Sequence, residues 1–100
     1  MHRYTLSRPA KADFDEIWLD LAIRANIDIA GRITDEITDQ FGLLAAMPEV
    51  GRARPELGPA GLRSFVVDDY VIYYRKAKRG GIQVARIIHG KRDQGKALGR

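Results

Sequence analysis

Apolar positions alternate with polar ones in some stretches of this chain and recur every three or four residues in others. Alternation marks a strand, because successive side chains point to opposite faces. Residues 3–7 alternate, with Tyr4 and Leu6 set against Arg3 and Thr5. Ser7 then suits a helix N-cap, and Pro9 falls in the first turn. Phe14, Ile17, Trp18, Leu21, Ala22 and Ala25 follow with the i, i+3, i+4, i+7 spacing of an amphipathic helix, with Trp18 expected in the core. A second helix carries Ile29, Ala30, Ile33, Ile37, Phe41 and Leu44 along one stripe. Asn26 or Asp28 caps it, and Pro48 stops it. The short gap between the two patterns implies an antiparallel helical hairpin.

Residues 48–62 hold three prolines and three glycines without a period, which reads as a long loop. Beyond it, Arg63–Val67, Tyr70–Ala77 and Ile82–His89 read as strands joined by Asp68-Asp69 and by Lys78-Arg79-Gly80-Gly81. Such short links make antiparallel hairpins. On the last strand, strict alternation puts Val84, Arg86 and Ile88 on one face and Ala85, Ile87 and His89 on the other. The expected fold is α+β in two layers, β-α-α-β-β-β, with the helical hairpin packed on a small antiparallel sheet. One domain spans 1–100: first strand 1–8, helical hairpin 9–47, loop 48–62, three-stranded meander 63–89 and tail 90–100.

Charge adds an asymmetry. Residues 13–39 carry eight acids against Arg24 and Arg32, a net −6, whereas residues 51–100 carry twelve bases against four acids, a net +8. That layout steers an acidic partner or a polyanion toward the C-terminal half. There is no cysteine, no apolar run of membrane-spanning length and no apolar leader after Met1, so a cytoplasmic protein is expected.

His89 is the histidine within the folded pattern, and a general acid or base would draw on it first. Arg52, Arg54, Arg63, Arg75, Arg86, Lys91 and Arg92 form the basic set, suited to carboxylate or phosphate. Arg86 stands out as a charge on an apolar strand face, where an arginine is usually paired, snorkelling or at the edge of a groove. Tyr70, Tyr73 and Tyr74 share one strand, and Tyr73 faces away from Ile72. Asp13, Glu16 and Asp20 fall at i, i+3, i+7 and read as an exposed acidic ridge with no metal-ligand spacing. No phosphate-binding glycine motif is present.

Three segments, Gly51-Arg-Ala-Arg-Pro55, Tyr70-Val-Ile-Tyr-Tyr-Arg75 and Arg86-Ile-Ile-His-Gly-Lys-Arg-Asp93, taken in this order, resemble the ParE branch of the ParE/RelE toxins of bacterial type II toxin–antitoxin systems. The resemblance covers nearly the whole chain and implies the same β-α-α-β-β-β fold. It implies inhibition of DNA gyrase and a block to replication, relieved by a cognate antitoxin, usually of ribbon-helix-helix type, in a hetero-oligomer. Nucleic acid would be met only indirectly, and no cofactor, metal or membrane is implied. RelE-like members instead cleave mRNA on the ribosome, with an arginine after the tyrosine that opens the middle strand, lysines in the preceding strand and a tyrosine after the terminal basic cluster. Here Tyr70 is followed by Val71, the preceding strand offers Arg63, and Asp93–Arg100 holds no tyrosine. Enzymatic action is therefore disfavoured; an mRNA endoribonuclease would use Arg92 and His89 as its catalytic candidates. A basic nucleic-acid-binding module without toxicity is the further alternative. Arg52, Arg54, Arg63, Tyr73, Arg75, Arg86, His89, Lys91 and Arg92 are the expected target- or antitoxin-binding residues.

Overall fold

The structure is a computed structural model and describes residues 3–91. Seven elements follow one another: β1 (Tyr4–Leu6), α1 (Arg8–Arg24), α2 (Ile27–Ala46), β2 (Arg52–Ala53), β3 (Arg63–Val67), β4 (Tyr70–Lys76) and β5 (Ile82–His89). The strands form one sheet in the order β1-β5-β4-β3-β2. β1 joins β5 in parallel, and every other pairing is antiparallel, so the expected antiparallel sheet is mixed. A short strand, β2, also lies inside the stretch expected to be pure loop, paired through Arg52↔Ser64 and Ala53↔Arg63.

The helix starts follow from their caps. Ser7 accepts a hydrogen bond from the Ala10 amide, with Pro9 in the first turn. Asn26 accepts one from the Ile29 amide at 2.8 Å, which resolves the choice between Asn26 and Asp28. The hairpin stripe is rotated from its expected position on α1. Ala10, Asp13 and Ile17 are the buried residues of that helix, while Trp18 is 37 % exposed rather than core. Rotating the stripe brings the carboxylate of Asp13 inward, so the acidic ridge has a buried end.

Asp13 closes the free edge of β5. β1 ends at Leu6, opposite Val84, and leaves the rest of β5 without a strand on that side. The start of the helical layer takes over. The Ser7 amide donates to the Val84 carbonyl, the Ser7 hydroxyl to the Ala85 carbonyl, and the Ile87 amide to the Asp13 carboxylate. Arg86 completes the arrangement with two bonds to the same carboxylate, at 2.6 and 2.9 Å. This two-pronged pairing is the stronger form of a guanidinium–carboxylate contact. Donating to the Asp13 carboxylate pushes the Arg86 guanidinium above its ordinary pKa, against the opposing effect of burial.

A β-bulge changes the faces of β5. Tyr74 pairs with Val84 and Tyr73 with Arg86, so Ala85 is the extra residue. Ile82 and Val84 pack toward the helices, and after the bulge Ile87 does so too, while Ile88 joins the opposite face. The strict alternation expected for Val84, Arg86 and Ile88 therefore fails at one inserted residue.

Two apolar clusters result. Ile17, Ile37, Phe41 and Leu44 from the helices meet Ile72, Tyr74, Ile82, Val84 and Ile87 from the sheet. On the outer face, Tyr73, Ile88 and Leu62 are buried, with Leu57, Val71 and Ala85 packed against them. Leu57 and Leu62 belong to the proline- and glycine-rich stretch, which thus covers the sheet. Tyr74 anchors the start of that stretch: its hydroxyl accepts from the Gly51 amide at 2.8 Å and donates to the Pro48 carbonyl at 2.9 Å. A Cβ on Gly51 would overlap this hydroxyl, which explains a glycine there.

Two outcomes are expected in urea unfolding. Asp13→Ala leaves a guanidinium and the Ile87 amide without their acceptor, but Arg86 remains 24 % exposed. The loss should be about 2–3 kcal/mol, below the range for a fully buried pair, with the slope m unchanged. A change under about 0.5 kcal/mol, the level of an ordinary surface substitution, would show that the staple contributes little. Tyr74→Phe should cost roughly 1–2 kcal/mol. Combined with Gly51→Ala it should cost less than the two single changes added together, since removing the hydroxyl relieves part of the overlap.

Candidate functional site

The expected basic residues separate into two ends of the sheet. Arg63 lies opposite Tyr74 and Arg75 opposite Gln83, near the β4–β5 turn. His89 lies opposite Tyr70, at the other end of β4. Four residue steps of strand from Tyr70 to Tyr74 put these ends about 13 Å apart. Among the described residues, therefore, the set does not gather around one phosphate-sized hollow. Arg92 lies outside the described residues.

At the His89 end, the imidazole stands edge-on to Tyr70, with ring centres 5.4 Å apart. Its Nδ1 accepts from the Lys91 amide at 3.2 Å, and the side chain of Lys91 is exposed. Both rings border a cleft of about 590 Å³ shared with Ile17, Leu19, Ile23 and the acids Glu16 and Asp20. Leu19 and Ile23 are 55 % and 75 % exposed, large values for apolar side chains on a helix. Arg86 directs two of its N–H groups at Asp13 and stays partly exposed. This cleft combines apolar side chains with Asp13, Glu16 and Asp20, and Arg24 also borders it.

At the other end, Arg63 donates to the carbonyls of Gly51 (2.7 Å) and Glu49 (3.3 Å). Lys76 pairs with the Glu49 carboxylate at 2.5 Å, and that hydrogen bond holds the carboxyl below its ordinary pKa. Arg75 directs two of its N–H groups at the Gln83 side-chain oxygen. Arg63, Arg75, Lys76 and Lys78, with Thr5 and Gln83, border a cleft of about 640 Å³. Lys76, Lys78, Thr5 and Gln83 were not among the expected site residues. The β4–β5 hairpin register brings Gln83 opposite Arg75, a register that the Gly80-Gly81 turn at positive φ makes possible.

Arg54 donates to the Ser64 hydroxyl at 2.8 Å and meets Glu56 at 3.4 Å, while Arg52 is exposed on β2. Tyr73, expected at a binding surface, is only 2 % exposed and packs in the outer cluster. Burial raises its phenol pKa. No three of the described His, Asp and Glu residues converge as metal ligands. No helix among the described residues is long and apolar enough to cross a membrane.

Comparison with known proteins adds lineage to this geometry. The family described as the ParE toxin of the type II toxin–antitoxin system parDE matches residues 4–94. A protein of Mycobacterium tuberculosis named Toxin ParE1 is 34 % identical over 91 residues, covering 91 % of this chain and 92 % of that protein. A Toxin ParE1 of Caulobacter vibrioides is 32 % identical over 89 residues, covering 89 % and 90 %. Among solved structures, a chain of the chromosomal ParDE system of P. aeruginosa superposes with a TM-score of 0.73 at 25 % identity, covering 89 % of this chain and 96 % of that one. A chain of the RelBE2 toxin–antitoxin complex of M. tuberculosis gives 0.63 at 23 % identity, covering 88 % and 96 %, a likeness of fold. With a family match spanning residues 4–94 and two relatives above 30 % identity, the chain belongs to the ParE toxins of type II toxin–antitoxin systems.

Proposed function

We propose that this chain inhibits DNA gyrase and thereby blocks replication, acting in the cytoplasm, and that a cognate antitoxin of ribbon-helix-helix type neutralises it. The observation that carries the gyrase reading over mRNA cleavage is the outer face of the sheet. Val71, at the position where an RNA-cleaving relative would present an arginine, packs against a cluster of Leu62, Tyr73 and Ile88. Cleaving RNA at neutral pH needs a proton acceptor and donors for the phosphorane charge. An apolar surface covered by residues 57–62 supplies neither.

The antitoxin reading draws on the ParDE toxin–antitoxin system to which the P. aeruginosa neighbour belongs and on the exposed Leu19 and Ile23 beside the α1 cleft. Exposed apolar residues in a groove are the usual seat of a partner's apolar anchors. Arg63 and Arg75 remain candidate contacts for acidic groups of that partner. Arg86 does not, because Asp13 already takes its guanidinium.

Purified chain added to gyrase should stop supercoiling and accumulate cleaved DNA. The same preparation should leave transcripts intact in a translating extract. Full supercoiling at excess toxin, with no trapped cleavage complex, would overturn the gyrase reading.

A further inference from the structure

Three strands set polar side chains in one row near the β4–β5 turn. Thr5 pairs with Gln83 across β1 and β5, and Gln83 pairs with Arg75 across β5 and β4. Directly paired residues share a face. Ile82 and Val84 pack toward the helices, so Gln83 between them puts the row on the outer face. Arg75 directs two N–H groups at the Gln83 side-chain oxygen, at 3.3 and 3.2 Å, which leaves the Gln83 amide nitrogen with both hydrogens to donate. The row borders the cleft of about 640 Å³ together with Arg63, Lys76 and Lys78. No carboxylate is in the described lining; Glu49, the acid that pairs with Lys76, lies outside it. Lys78 and the Thr5 hydroxyl have no hydrogen-bond or ion-pair partner among the described residues.

We propose that this cleft binds a small oligophosphate, the phosphate chain of an inorganic tripolyphosphate or of a nucleoside triphosphate. Four cations with no carboxylate among them attract a compact polyanion. Donors approach from β1, β4, β5 and the turn rather than from a single fork. One guanidinium satisfies a planar carboxylate, whereas linked tetrahedral groups offer oxygens in every direction. At the backbone, Thr5 and Arg75 stand two strand spacings apart, roughly 10 Å, a span that suits a short chain of phosphates better than a single one. No aromatic ring lines the cleft, so nothing there stacks on a base and the phosphates are the part that is bound. The assignment goes beyond the gyrase reading and depends neither on the toxin's target nor on its antitoxin.

Isothermal titration calorimetry of the whole chain, at low salt and without divalent cations, tests it with sodium tripolyphosphate, ATP, adenosine and citrate. Tripolyphosphate should bind at one site per chain, at least fivefold more tightly than citrate, and more weakly as salt rises. ATP binding within threefold of tripolyphosphate assigns the site to the phosphate chain of either source. Weaker ATP binding assigns it to the free oligophosphate. ATP bound more than threefold more tightly, or adenosine bound at all, would mean that a base is recognised and would overturn the proposal. Arg75→Gln with Lys78→Gln, both exposed positions, should weaken tripolyphosphate at least tenfold. Arg8→Gln with Lys11→Gln removes the same charge from exposed positions on α1 and should leave binding within threefold. Thr5→Val, which keeps the shape of the side chain, should weaken binding two- to fivefold and serves as the check if circular dichroism shows the first double variant unfolded. Absent binding, citrate bound within fivefold, or an equal loss in the two double variants would each sink the assignment.

Discussion

A carboxylate on the buried side of α1 holds the two layers of this toxin in register. Asp13 receives three hydrogen bonds from β5, two from Arg86 and one from the Ile87 amide. Hydrophobic contact between a helix and a sheet is non-directional, and by itself it would tolerate sliding. Directional bonds to a single carboxylate fix where along β5 the helix sits. They also satisfy an amide that β1, ending opposite Val84, cannot reach. Ser7 works with Asp13, bonding the Val84 and Ala85 carbonyls while capping α1. One short segment thus starts the helix, closes a sheet edge and sets the layer packing.

A bulge at Ala85 lies beside that arrangement. An extra residue in β5 breaks the simple alternation, pairing Arg86 with Tyr73, while its guanidinium bonds Asp13 of α1. Past the bulge, Ile87 returns to the helix side and Ile88 to the outer side. Both faces of β5 are consequently buried, as its burial pattern shows. A two-sided sheet needs a cover on the outer face, and Leu57 and Leu62 provide it. Residues 54–62 are therefore a structural layer as much as a connection, tied down at their approach by Tyr74 and Gly51.

Local signals in the sequence identified the helices, the cap at Ser7, the second cap down to Asn26 or Asp28, and the three long strands, because each depends on neighbours a few residues away. Contacts between distant segments were not legible. Asp13 reads as one of three acids at helical spacing, and only the position of β5 makes it an inward partner. The bulge was not read from the sequence, although Val84-Ala85 and Ile87-Ile88 already break a strict apolar–polar alternation. Two residues of β2 lie among prolines and glycines, too few to show a period. Arg86 carried the clearest hint: a charge on an apolar strand face needs a partner. The basic residues were legible as a set, but their division between two ends follows from strand register, which the turn at Gly80-Gly81 controls.

That division bears on what the protein can do. A catalytic centre requires several groups held around one reacting atom, at hydrogen-bond distances from it. Here Arg63, Lys76 and Arg75 are engaged with a backbone carbonyl, Glu49 and Gln83 respectively, and His89 borders a cleft that holds Asp13, Glu16 and Asp20. Charges spread in this way suit a long partner laid across the molecule, contacting one end through carboxylates and the other through apolar side chains. The two clefts differ in sign and in apolar exposure, so a partner that satisfies both must itself be asymmetric, acidic toward Arg75 and apolar toward Ile23. Such a requirement rejects partners that carry only one of these characters, and so gives specificity without a deep pocket.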